Sequence, residues 1–212
     1  YIPYFDKKKN YEFIKEINLE DYNNLNQIIN ISKYWYEAQK LIKIQNGNFG
    51  FFKTHYANVT IGNKYHYANK DITHGVILII RDPRDVAVSF AKHLNYSIEK
   101  TTKILVNNKA VIKGNDDTFP MMHLNWENFY LSWMSLNIPI LTIKYEDMIG
   151  DIHASLVKII NFFHENFNIK INNKEIKIKN IIESTSFESM QKMEKNDGFN
   201  EATYGSFFRK GK

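Results

Sequence analysis

The stretch Val76-Ile77-Leu78-Ile79-Ile80-Arg81-Asp82-Pro83-Arg84-Asp85 decides the fold class of this chain. An uninterrupted run of β-branched residues and leucine is the pattern of a strand buried on both faces of a parallel sheet, because neither face has to alternate with water. Arg81 stands at the C-terminal end of that strand. Asp82-Pro83-Arg84-Asp85 then reads as a helix start, with an Asp cap, proline at the first helical position where its missing N–H is no loss, and an acid at the third. The helix is expected to continue from Val86 to about Asn95. A strand that turns at once into a helix is the repeating unit of α/β folds, which collect functional groups beyond the C-terminal ends of their strands.

Toward the N-terminus, Phe49-Gly50-Phe51-Phe52-Lys53-Thr54-His55 follows an Asn46-Gly47-Asn48 turn and is expected to form a short strand ending near Lys53. Residues 11 to 45 read as helical, with Phe13, Ile14 and Ile17 in one apolar group and Leu25, Ile28, Ile29, Trp35 and Leu41 continuing the face. Toward the C-terminus, residues 98 to 112 read as helix and 114 to 117 as a loop. Trp126, Phe129, Tyr130 and Trp133 recur at helical spacing between 125 and 136, a pattern of core packing rather than of a cofactor box. Residues 140 to 145 form a third expected strand, helices follow over 154 to 167, 173 to 183 and 186 to 195, and the tail from Gly198 to Lys212 is glycine-rich, aromatic and basic. Strands separated by helices imply an α/β fold with a central parallel β-sheet flanked by helices, in one domain over residues 1–212. His55, Arg81 and Tyr145 are all expected at strand ends on one edge of it.

Composition narrows the function. The chain has 212 residues, 43% of them hydrophobic, enough for one well-filled core. Its longest purely apolar run, Val76 to Ile80, falls far short of the roughly 20 residues a membrane helix needs, so no membrane partner is expected. The opening Tyr1-Ile2-Pro3-Tyr4-Phe5 lacks the pattern of a signal peptide, and the expected location is cytoplasmic. Absence of cysteine excludes disulfides, thiolate metal sites and cysteine nucleophiles. The net charge of +5 and pI near 9.1 suit an anionic partner. The lysines are scattered, however, and no groove-reading helix or aromatic ladder accompanies them, which argues against polymeric nucleic acid and for a small phosphorylated ligand.

Arginine is the informative exception. Of 28 Lys and Arg residues, arginine occurs only at 81, 84 and 209. Its planar, permanently charged fork is favoured where phosphate or carboxylate must be gripped bidentately, although ordinary surface salt bridges account for the pair at 81 and 84 equally well on this ground alone.

Five short segments, in order, resemble the PAPS-dependent sulfotransferase family: Lys53-Thr54-His55, Arg81 through Ser89, Tyr145-Glu146-Asp147-Met148, Thr185-Ser186-Phe187 and Phe208-Arg209-Lys210-Gly211. The resemblance runs through nearly the whole chain and takes in all three arginines. It implies a three-layer P-loop-like α/β fold and transfer of a sulfuryl group from PAPS (3′-phosphoadenosine 5′-phosphosulfate) to a hydroxyl or amine of a small-molecule acceptor. PAP is the product, no metal is required and no covalent enzyme intermediate forms. By the same resemblance His55 and Lys53 are catalytic. Arg81, Ser89, Arg209, Lys210 and Gly211 hold the 3′-phosphate, and Tyr145, Thr185 and Phe187 border the adenine.

The chemistry of these residue types agrees. Imidazole titrates near neutrality and takes a proton from an attacking hydroxyl, while a lysine beside the transferring group stabilises its charge. Ser89 lies about two turns into the helix, suited to an anion beside the helix rather than at its end, where Asp82 and Asp85 already sit. Taken singly, Ser89 reads as a back-bonded helix hydroxyl and Tyr145 as a core tyrosine. The family's glycine-containing 5′-phosphosulfate loop should precede Lys53, yet residues 1 to 52 hold only Gly47 and Gly50, in no such context. The chain is therefore expected to be trimmed at both ends. A P-loop kinase-like enzyme and a catalytically incomplete PAP-binding or nucleotide-binding domain are the alternatives.

Overall fold

The computed structural model describes residues 24–40, 42, 44, 49–113, 119–199 and 205–208. In chain order the elements are α1 (Asn24–Ser32), α2 (Trp35–Lys40), β1 (Thr60–Ile61), β2 (Tyr65–His66), β3 (Val76–Ile80), α3 (Pro83–His93), α4 (Ile98–Val106), β4 (Val111–Ile112), β5 (Met121–Met122), α5 (Trp126–Met134), β6 (Ile140–Lys144), α6 (Tyr145–Gly150), α7 (Ile152–Phe167), α8 (Lys174–Ser184) and α9 (Phe187–Asp197). Several of the helices begin where a short polar side chain satisfies an orphan N–H. Asp82 accepts from Arg84 N at 2.8 Å, Asn125 from Asn128 N at 2.7 Å, Asp151 from Ala154 N at 2.8 Å and Ser186 from Ser189 N at 3.2 Å. No described helix is long and apolar enough to cross a membrane.

The chain divides into two compact units, residues 1–75 with 104–138 and residues 76–103 with 139–212. The first is organised around aromatic rings. Tyr56 and Tyr67 stack with centroids 4.4 Å apart, Trp35 meets both edge-on at 5.7 and 5.4 Å, and Trp133 meets Tyr67 edge-on at 6.3 Å. All four are buried. Their polar handles are satisfied, as burial requires: Tyr56 Oη donates to Pro120 O at 2.8 Å and Trp133 Nε1 to Tyr56 O at 3.1 Å. β1 pairs antiparallel with β2 and β4 with β5. The first hairpin turns through Gly62 and Asn63, both at positive φ (59° and 55°), a conformation these two residue types adopt most readily.

The second unit holds the parallel pair. β3 and β6 match residue for residue, Val76 with Ile140 through Ile80 with Lys144. Leu78 and Ile143 are buried, with Ala87 and Ala91 of α3, Phe162 of α7 and Ile178 of α8. α6 and α7 pack against β6, α8 against α7 and α9 against α8.

Most expected elements are present, so the α/β class holds, with β3–β6 as the parallel strands among the described residues. Three expectations are corrected. β3 is buried on one face only: Leu78 is 5% exposed and its neighbour Ile79 54%. Residues 49–59 form no strand. Phe51 and Phe52, on opposite sides of an extended chain, are 58% and 46% exposed, so neither side is buried there, and Thr54 Oγ1 takes the Tyr56 N–H (3.0 Å) that a ladder would use. The helix expected over 98–112 stops at Val106, because Asn107 Oδ1 accepts from Lys109 N at 2.9 Å in a side-chain turn that leads into β4. Helix is also interrupted between α1 and α2, at Lys33-Tyr34. Phe13, Ile14, Ile17, Leu41, the Asn46-Gly47-Asn48 turn and the loop at 114 to 117 lie outside the described residues.

Ile143, 3% exposed in β6, tests how far the parallel pair supports the second unit. Ile143→Ala is expected to cost about 2–5 kcal/mol, through lost burial and the cavity left behind, read as a lowered urea midpoint. An unchanged midpoint would show that the unit does not depend on this pairing.

Candidate functional site

One-to-one parallel pairing makes β3 and β6 end at the same level, so Arg81 and Tyr145 leave the sheet side by side. The Arg81 guanidinium lies over the Tyr145 ring, Cζ 4.4 Å from its centroid, a cation–π contact that fixes a flexible side chain without consuming its charge. Its side chain is 26% exposed, and Asp85 Oδ2 is 3.8 Å from Nη2, longer than a hydrogen bond. Tyr145 begins α6, so the strand-to-helix turn occurs here as well as after β3.

Arg84 is differently placed. Its Nε and Nη2 fork onto the Asp82 carboxylate at 3.0 and 2.5 Å, on a side chain that is otherwise exposed. These bonds, with the backbone N–H of Arg84, hold the Asp82 carboxyl down at about 2 and raise Arg84 in turn. Arg84 thus reinforces the cap of α3. The Asp82 N–H donates to Glu146 Oε1 at 2.9 Å, which ties the turn after β3 to α6 and is the main reason Glu146 lies below the usual carboxylate range. Glu146 lies within the segment Tyr145-Glu146-Asp147-Met148, but nothing in its spacing points to this bond.

Along α3, Ser89 is exposed. Its hydroxyl makes no back-bond of the kind that Thr101, Thr102, Ser132 and Thr185 make to carbonyls three or four residues earlier. The plain reading of Ser89 as a back-bonded hydroxyl is therefore corrected. Thr185, at the end of α8, donates to Ile181 O at 2.6 Å, so its hydrogen is already used and its lone pairs remain. Phe187 opens α9 and is half-buried.

Two side chains of α9 hold the tail: Gln191 Nε2 donates to Phe208 O at 2.8 Å, and the Glu194 carboxylate takes three bonds. Glu194 Oε1 accepts from Phe207 N at 2.5 Å, and Oε2 accepts from Phe208 N at 3.0 Å and Ser206 Oγ at 2.8 Å. These bonds, that of Phe207 first, lower its carboxyl. The left-handed Gly198 (φ 75°) ends α9, Gly205 (φ 76°) turns the chain back, and Phe199, Phe207 and Phe208 pack together with centroids 4.8–5.1 Å apart. Arg209, Lys210 and Gly211 follow directly in sequence and lie outside the described residues. An open cavity of about 600 Å³ beside this clasp is lined by Gln191, Lys195 and Phe208 among others, but by none of Arg81, Ser89, Tyr145, Thr185 or Phe187. Among the described residues its wall holds no arginine and no aromatic–cation pair.

Lys53, Thr54 and His55 belong to the first unit. Lys53 and Thr54 are half-buried and His55 is exposed, on an extended segment rather than at a strand end. Thr54 Oγ1 is 2.7 Å from Tyr67 Oη. Burial pushes the Tyr67 phenol up to about 12 and raises Tyr56 further, so both stay protonated at neutral pH. His123 is a structural histidine: its ring stacks on Phe129 at 5.7 Å, and burial lowers its pKa.

The structure thus brings Arg81 and Tyr145 together in one unit and sets Lys53 and His55 on a braced segment of the other. A family model described as the sulfotransferase domain matches residues 4–212. This chain belongs to the sulfotransferase family. Curated proteins offer no match to it. Membership supports transfer of sulfuryl groups as the family's general activity, and every segment quoted from this sulfotransferase lies within the matched range.

Two outcomes follow for the tail. Glu194→Ala is expected to speed amide exchange at Phe207 and Phe208 while leaving β3 and β6 protected, as read by hydrogen exchange; protection surviving at both tail amides would show that the phenylalanines and Gln191 hold the segment without the carboxylate. A carboxyl lowered by folding adds stability above its ordinary value of 4.5 and loses it as pH falls through the folded value. The two amides should therefore stay protected from neutrality down to about that pH and open below it.

Proposed function

We propose that this sulfotransferase takes its sulfuryl group from PAPS and passes it to a hydroxyl or amine of a small-molecule acceptor, with His55 as general base. The observation that carries the donor assignment is the seating of Arg81 on Tyr145 at the shared end of β3 and β6, with the Ser89 hydroxyl not back-bonded in the helix that follows. This donor set suits a phosphate: a permanently charged planar fork, partly desolvated and pre-oriented, outcompetes water for an anion better than a mobile lysine does. The pair formed with Asp85 at 3.8 Å is weaker than the charge-assisted bonds arginine makes to phosphate.

In this reading Arg81 and Ser89 bind the 3′-phosphate, joined by Arg209, Lys210 and the Gly211 N–H, which the clasp at Glu194 precedes in sequence. Tyr145, with one face covered by Arg81, meets the adenine through its other face or its hydroxyl. Thr185 acts there as an acceptor, since its hydrogen is donated to Ile181, and Phe187 adds an apolar edge. PAPS, when bound, supplies the sulfuryl group and leaves as PAP. His55 receives the acceptor's proton as the acceptor oxygen or nitrogen forms its bond to sulfur, and Lys53 offsets the negative charge around the transferring group. In this reading the parallel pair is part of the central sheet of a three-layer P-loop-like domain that takes in residues 1–212.

Calorimetric titration tests the donor half. PAP is expected to bind at least about tenfold more tightly than ADP, a difference of about 1.4 kcal/mol, and Arg81→Ala should erase the preference. Equal affinities of the unaltered protein for the two nucleotides would remove the 3′-phosphate assignment. For the chemical half, His55→Ala should abolish sulfuryl transfer from PAPS while leaving PAP affinity intact. Undiminished turnover would refute the general base, and tight PAP binding with no transfer by the unaltered protein would favour a PAP-binding domain without catalysis.

A further inference from the structure

We infer that Tyr67 is a positioning residue for the Lys53-Thr54-His55 segment, acting through the Thr54 hydroxyl; this rests on the proposed role of His55. The segment has no strand ladder to hold it. What it has is Thr54, whose Oγ1 accepts the Tyr56 N–H at 3.0 Å and lies 2.7 Å from Tyr67 Oη. The direction of the second bond follows from burial. If Thr54 donated, the phenolic hydrogen of the buried Tyr67 would be left without an acceptor, at a cost in desolvation. If Tyr67 donates, the leftover hydrogen is that of Thr54, a half-buried residue able to turn it outward. Tyr67 is therefore the donor, and Thr54 Oγ1 accepts two bonds.

Tyr67 is itself immobile. Its ring lies against Tyr56, Trp35 and Trp133, its N–H donates to Val59 O at 3.0 Å, and its carbonyl accepts from Gln39 Nε2 at 2.6 Å. Its hydroxyl therefore presents a fixed point to Thr54, and the residues on either side of Thr54 are Lys53 and His55. Because Tyr56 is immediately next to His55 and is stacked on Tyr67, the segment is fastened on both sides of the histidine, by one hydroxyl pair and one ring pair. A base held this way takes its direction from the backbone on both sides of it, the kind of preorganisation that keeps a proton acceptor aimed at its substrate.

The experiment compares the full chain with Tyr67→Phe, Thr54→Val and Thr54→Ser. Imidazole nitrogen NMR reads the histidine, whose signals are assigned by their loss in His55→Ala, and hydrogen exchange reads the Tyr56 amide. Tyr67→Phe keeps the ring stack and Thr54→Val keeps the shape of the threonine. Each is expected to shift the His55 signals and speed Tyr56 exchange about tenfold or more, with melting temperature little changed, while Thr54→Ser behaves as the unaltered chain. In sulfuryl transfer the same two variants should lower kcat about tenfold or more without raising KM for PAPS. His55 signals and Tyr56 exchange unchanged in both variants would overturn the inference. Absence of transfer by the unaltered chain would count against the proposed activity, while the spectra still decide the positioning.

Discussion

The in-register parallel pairing of β3 with β6 is the constraint on which the candidate donor site depends. Parallel strands have no hairpin to set their register; it must come from what each strand buries and from where each stops. Here Leu78 and Ile143 face the interior and both strands give way to helices at the same level, after Ile80 and Lys144. A slip by one residue would turn Leu78 toward water and Ile79 inward, and would also separate Arg81 from the ring that carries it. Register and site geometry are therefore the same fact seen at two scales.

The two arginines of the turn show how one local grammar supports two jobs. Asp82 is close to both in sequence, yet its carboxylate caps α3 and takes the Arg84 fork, and Arg81 lies on aromatic carbon. The scarcity of arginine in a lysine-rich chain singled out both. It could not separate them, because the separation depends on which way the Asp82 carboxylate points once the helix has formed.

The sequence reveals most where the determinants are local. An apolar run, an Asp-Pro start and helical periodicity act within a few residues, so β3, α3, β6 and the C-terminal helices are readable from their own letters. The strand expected to end near Lys53 is not, since a strand needs a buried face and both Phe51 and Phe52 are exposed. The hairpin of β1 and β2 carried a usable sign in Gly62-Asn63, two residues tolerant of positive φ, but each strand is only two residues long and leaves no alternation to read. For the site, residue type and order pointed to Arg81, Tyr145 and His55. The contacts of Tyr67, Glu146 and Glu194 carry no sequence signal because each acts on a partner far along the chain, 13, 64 and 13 or 14 residues away, at separations no periodicity marks.

The clasp formed by Glu194 has a consequence for how freely the tail can vary. Two of its three bonds are made to backbone N–H groups, which every amino acid except proline carries. Recognition of that kind is blind to side chains. Positions 207 and 208 can therefore drift through most of the amino-acid alphabet without releasing the segment that leads to Arg209, and their phenylalanines answer to the aromatic packing with Phe199 rather than to the clasp. Proline is the one residue the arrangement forbids at both places, so the hold on this segment is written in the main chain and in two side chains of α9, Glu194 and Gln191.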